Sequence, residues 1–186
     1  MFGFREKTGK KESFIGVNIT SNVINITSIK QDGQKVIVQS FDTVELPFGL
    51  EKEKIDNFIL ETLKKYFSNV KSPKPKVFSL ISGPDVIIRR LSLPKLHPKE
   101  LLEAIKWEIK THIPFPIENA AINYTVLGEI QTKEAPKLDL LVAIIPKDYI
   151  KKTNAIFEKA GVILKGLTIA PFAVWNLLKA TSLLKK

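Results

Sequence analysis

Apolar and polar residues alternate along residues 13–19 and 23–29, the period-two signature of half-buried strands. Asp32 and Gly33 mark a hairpin turn, and residues 35–46 read as a third strand. Pro47, Phe48 and Gly49 end the alternation. Over residues 51–67 the period changes, and Ile55, Phe58, Ile59, Leu63, Tyr66 and Phe67 fall on one face of a helix. A Ser-Pro-Lys-Pro linker at 72–75 leads to a short apolar strand, 77–82, closed by Gly83 and Pro84. The opening order is therefore β-β-β-α-β.

A second series starts near Asp85. Residues 86–93 read as a strand ended by Pro94, and 99–112 as an amphipathic helix with Pro98 at its start. Pro114 forbids continuation of that helix, and Pro116 holds the exit extended. Strands follow at 121–130 and 138–145, joined by a polar hairpin connection, 131–137. The second strand is apolar enough to be central in its sheet. A helix at 148–160 is capped by Gly161, a strand runs over 162–169, and a last helix over 172–184 begins after Pro171. Residues 85–168 thus predict β-α-β-β-α-β, a split arrangement of the ferredoxin-like kind. In the helix 99–112 the core-like positions are Leu101, Leu102, Ile105 and Ile109, with Trp107 a further candidate. Phe115 and Trp175 read as core residues as well.

Composition narrows the function classes. The hydrophobic fraction of 44% over 186 residues suffices for one core or two small ones. No apolar stretch reaches the roughly 18 residues of a spanning helix, and the first residues lack the apolar run of a secretory signal. Cysteine is absent, which excludes disulfides, thiolate nucleophiles and zinc-thiolate sites from this sequence. The net charge of +10 suits an anionic partner, either nucleic acid or a membrane surface. Lysines spread along the whole length, with arginine only at positions 5, 89 and 90, read instead as a solvated surface. Nucleic acid is therefore not an expected partner. Phe2 and Phe4 ahead of a basic run, residues 5–11, suit contact with a bilayer and equally a frayed terminus.

Candidate chemistry is sparse. His97 and His112 flank one helix with no third ligand at metal spacing. Glu103 with Lys106, and Glu108 with His112, are ordinary helix-surface neighbours. No Ser-His-Asp arrangement or full-strength phosphate cradle is present. Arg89 and Arg90 are adjacent on a strand, so their side chains leave opposite faces and one is free to meet a partner.

Four stretches carry a family likeness: SLISGPDVIIRRLSLP at 79–94, EAIKWEIKTHIPFPI at 103–117, LLVAIIPKDY at 140–149 and APFA at 170–173. Together they make the sequence resemble the PilM family, actin-like cytoplasmic proteins of type IV pilus assembly related to the cell-division protein FtsA. The resemblance implies an α/β fold. Its parts would be an actin-like, ribonuclease-H-like subdomain, the inserted β-α-β-β-α-β subdomain, and a final helix returning to the first. The implied division is a basic tail at 1–12, the first subdomain at 13–84, the insertion at 85–168 and the returning helix at 169–186. Such proteins are built in two halves around a nucleotide cleft, and this sequence matches the first half only. A piece of a longer protein and a shortened protein both fit that match.

The family's first phosphate loop reads Gly-x-Asp-x-Gly, followed by a Lys. Here Gly16 matches, Asn18 stands for the acid, Thr20 for the second Gly and Asn25 for the Lys. Gly16, Asn18, Thr20 and Ser21 are thus the candidate cofactor-binding residues, forming a degenerate loop without the charge to hold phosphate. The expectation is no catalysis and no cofactor, with ATP and Mg held only if a second half is supplied. The resemblance implies a scaffold at a type IV pilus or related secretion platform, cytoplasmic and peripheral to the inner membrane. It would dock the cytoplasmic tail of a PilN-like membrane protein in the groove between the subdomains, with Ile87, Ile88, Arg89 and Arg90 as candidate docking residues. Other pilus assembly proteins and self-association are further partner classes. The competing expectation is half of a nucleotide-binding actin-like ATPase.

Overall fold

The computed structural model describes residues 12–33, 35–70, 75–133 and 135–180. The expected basic tail before Glu12, most of the Pro-rich linker and the far end of the last helix lie outside them. The chain divides into two compact units, one from residues up to Ser82 together with those from Thr153 onward, the other Gly83–Lys152.

The first unit is built on a five-stranded sheet. Strands β1 (Glu12–Ile19), β2 (Val23–Asp32) and β3 (Lys35–Glu45) form an antiparallel meander. After helix α1 (Lys52–Ser68), β4 (Lys76–Leu80) lies parallel to β1. The strand order is β3-β2-β1-β4, completed by a strand from the end of the chain. Alternation decides the faces. Ile15 and Val17 of β1, Ile24 and Ile26 of β2 and Val77 of β4 are buried together with Ile59 and Leu63 of α1. Each such side chain contributes about 1.5–3 kcal/mol of transfer free energy on burial. The opposite face carries Gly16, Asn18, Asn25 and Thr27, the residues in between.

One irregularity changes β3. Ile29 pairs with Val38 but Ser28 pairs with Ser40, so Gln39 is an extra residue, a β-bulge. The bulge shifts the alternation by one. Val36, Val38, Phe41 and Thr43 therefore stand opposite Gln31, Ile29, Thr27 and Asn25 and share the face away from α1.

The second unit holds a three-stranded antiparallel sheet. Its strands are β5 (Ile87–Pro94), β6 (Ala120–Ile130) and β7 (Lys137–Pro146), in the order β5-β7-β6. Helix α2 (Pro98–Ile109), continued by a 3-10 turn at Lys110–His112, lays Leu101, Ile105 and Ile109 on Leu138, Leu140, Val142 and Ile144 of the central strand. Ile113, Phe115 and Ile117, set two apart by the intervening prolines, pack on the same core. Trp107 does not: it is 84% exposed, on the side of α2 away from Ile105 and Ile109.

Helix α3 (Lys147–Lys159) starts in the second unit and ends in the first, where Phe157 is fully buried in the first core. Its end is a Schellman motif. Gly161 takes φ 76°, its N–H donates to Glu158 C=O, and Val162 N–H donates to Phe157 C=O. Strand β8 (Leu164–Thr168) then pairs parallel with β4, and helix α4 (Ala170–Ala180) follows.

The α/β class and the element order expected from the sequence hold. The division differs from the 85–168 insertion expected, because β8 joins the five-stranded sheet and not the smaller one. Local packing explains the choice. A Cβ at Gly166 would sit 3.2 Å from the Phe78 ring, so the glycine lets β8 close up on β4.

Candidate functional site

Of the four candidate cofactor residues, Thr20 and Ser21 lie in the turn between β1 and β2, and Gly16 and Asn18 lie on β1 before it. Thr20 closes that turn on itself: its N–H and its Oγ1 both donate to Val23 C=O, and Oγ1 accepts from the N–H groups of Asn22 and Val23. A phosphate cradle needs main-chain N–H groups free to point at the anion. Here the Thr20 side chain and its own turn occupy three of them. Asn22 C=O is also taken, by Leu46 N–H.

Gly16 and Asn18 lie elsewhere, at a cavity of about 420 Å³ on the sheet face away from α1. Asn25, Thr27, Phe41, Phe78 and Thr168 line it as well. Thr20 and Ser21 are not part of its lining. A Cβ at Gly16 would meet nothing within 4 Å, so the missing side chain widens the cavity floor instead of relieving a clash. The lining contains no ionisable side chain. Its polar groups are partly committed, since Thr43 Oγ1 donates to Asn25 Oδ1, and Ser79 Oγ, buried in the wall, donates to Val17 C=O. The chemistry on offer is hydrogen bonding and apolar contact. Phe41 and Phe78 were not foreseen in this place: Phe41 comes here only through the bulge at Gln39.

The candidate docking residues sit on β5, at the edge of the smaller sheet. Ile87, Leu91 and Leu93 face α2 and its core. Ile88 and Arg90 leave by the other face, opposite Ala143 and Leu141. Arg90 grips Asp139 of β7 with both prongs, Nε to Oδ1 at 2.8 Å and Nη2 to Oδ2 at 2.6 Å. The Asp139 side chain is 11% exposed, while that of Arg90 is 70% exposed. The guanidinium bond holds the Asp139 carboxyl below its usual range, against the opposing pull of burial. Sequence reading missed this partner. The available signal was a lone acid inside the apolar run LDLLVAII, a position where a charge needs a counter-ion. Arg89 is exposed as well, and its Nη1 donates to Ile88 C=O.

At the head of β5, Gly83 adopts φ 137°, and a Cβ there would lie 3.0 Å from Tyr149 Oη. Burial, and then the nearby Asp85 charge, push the Tyr149 hydroxyl pKa up. Among the described residues no helix is long and apolar enough to cross a membrane. Among them, too, no group of three or more His, Asp or Glu is arranged to hold a metal ion.

Comparison with solved structures places this fold among known ones. The chain is similar to PilM in a PilM–PilN type IV pilus biogenesis complex, with a TM-score of 0.73 and 23% identity. That likeness covers 90% of this chain and 50% of the other. It is also similar to the cytoplasmic domain of EpsL, an inner-membrane component of the type II secretion system of Vibrio cholerae. There the TM-score is 0.51 at 12% identity, covering 84% of this chain and 57% of that one. The chain thus spans about half the length of the solved structures it matches. At such identities the likeness carries the actin-like fold. The sequence itself carries the lineage: residues 16–184 match the model of the type IV pilus assembly protein PilM, so this chain belongs to the PilM family.

Proposed function

We propose that this chain is a scaffold of a type IV pilus assembly platform, cytoplasmic and peripheral to the inner membrane, and that it docks the tail of a PilN-like membrane protein along β5. One observation carries the reading: β5 is an edge strand of the smaller sheet in a chain whose fold is similar to PilM of a PilM–PilN complex. An extended tail adds to such an edge through main-chain hydrogen bonds, and alternate side chains then meet Ile88 on one face and Arg89 on the other. With Arg90 neutralised by Asp139, Arg89 is the cation that an acidic tail residue would meet. Titration of the chain with a synthetic PilN-like tail, followed by fluorescence anisotropy, tests this. Saturable binding weakened about tenfold or more by R89E and I88D supports the site. No binding at high micromolar peptide would falsify it.

The cavity at Gly16 favours a second reading, half of a nucleotide-binding actin-like ATPase completed by a second half. The uncharged lining and the closed Thr20 turn make it the weaker one. Calorimetry with ATP and Mg separates the two: tight, magnesium-dependent uptake by this chain would overturn the scaffold reading.

A further inference from the structure

The outer edge of the larger sheet is built to receive a strand. Strand β3 is 11 residues long and terminal in its sheet, and among the described residues nothing pairs with its outer side. Edge strands are commonly protected by charges facing outward or by covering loops. Here Val36, Val38 and Phe41 are 55%, 63% and 66% exposed, and the bulge at Gln39 gathers all three on one face.

The backbone polarity of this edge follows from the ladder. Leu46 N–H bonds Asn22 C=O, so by antiparallel alternation the residues bonded to β2 are 44, 42 and 40. Phe41, Thr43 and Glu45 turn their N–H and C=O groups outward. On the hairpin side of the bulge the Asp32/Lys35 pair closes the turn, which leaves Val36 and Val38 facing outward.

We infer that β3 pairs antiparallel with β3 of a second copy of this chain, joining two five-stranded sheets into one. A single register satisfies backbone, face and charge together. Opposing Val38 with Phe41 of the second copy, and Val36 with Thr43, sets outward-facing backbone against outward-facing backbone at all four positions. Opposed residues also share a face, so Val36, Val38 and Phe41 of both copies fuse into one apolar stripe. The same register sets Lys35 diagonal to Asp42 of the second copy, on the other face, twice by symmetry. Parallel pairing would place Lys35 beside Lys35 and Asp42 beside Asp42, so charge selects the antiparallel mode. This pairing does not involve β5 and stands apart from tail docking.

Sedimentation of the 186-residue chain from about 1 to about 100 µM tests it, alongside F41K and T43P. Proline at 43 removes an N–H that β2 does not use, so the meander itself tolerates it. Expected are a concentration-dependent dimer for the wild type and a dimer Kd raised about tenfold or more in both variants, each with unchanged circular dichroism. Amide exchange on the wild type decides independently if a variant misfolds: the amides of residues 36, 38, 41 and 43 should slow on going from dilute to concentrated protein. A chain monomeric across this range overturns the inference. So does a dimer indifferent to both variants, or one with those four amides still fast.

Discussion

Asp139 makes the pH dependence of this protein local. Its folded pKa lies below the ordinary carboxylate value, with the Arg90 bond as first cause. The pair therefore stabilises the fold fully above the ordinary carboxylate range and loses that contribution as pH falls through the lowered value. Arg90 is shifted upward and stays charged throughout. D139N should flatten the acid limb of melting temperature against pH, and a limb as steep as wild type would show that the pair adds nothing. Two glycines make a matched contrast. G83A combines φ 137° with a contact 3.0 Å from Tyr149 Oη and should cost about 1–3 kcal/mol in denaturant unfolding. G16A meets open space at ordinary backbone angles and should leave stability within about 0.5 kcal/mol of wild type.

Among the elements, α2 separates burial from appearance. Leu101, Ile105 and Ile109, spaced by four, form one buried line. Trp107 lies about 200° around the helix from Ile105 and is exposed. I105A should therefore destabilise by about 2–5 kcal/mol while W107A stays within about 0.5, as read by urea unfolding. Strict helical spacing makes that difference legible in the sequence; the size of the tryptophan ring is what suggests a core position. Most elements were legible for the same reason, since period and proline punctuation are local properties. What was not legible is non-local. Nothing near Gln39 announces the bulge that moves Phe41 to the face of Val38. Nothing in LKGLT states that β8 belongs beside β4, a choice made by Gly166 against Phe78. The Thr20 turn was seen as degenerate from its residue types, but its closure by a side-chain oxygen is a matter of geometry.

For the molecule as a whole, charge is the property no single element holds. The +10 excess is mostly lysine, and the ion pairs at Lys54, Lys64, Lys76, Lys95, Lys106 and Lys151 are exposed contacts worth little each. Any binding to DNA should then be weak, indifferent to sequence and steeply lost with added salt, as gel shifts over a salt series would read. Sequence-selective binding that survives salt would contradict the expectation that nucleic acid is no partner. The way β8 closes the larger sheet bears on how the chain folds. Val77 pairs with Leu164, so the last edge of that sheet waits on a contact across the entire 83–152 unit. Local hairpins such as β1–β2 should form early, whereas this parallel pair closes the longest loop, and so carries the largest closure entropy, of any described strand pair. Structure gained first in the intervening unit shortens the effective loop. Lesions in α2, far along the chain from β8, should therefore slow the final docking of β8 in refolding, a phase that pulsed hydrogen exchange at Ser79 and Ile81, the amides on the β8 side of that strand, would follow.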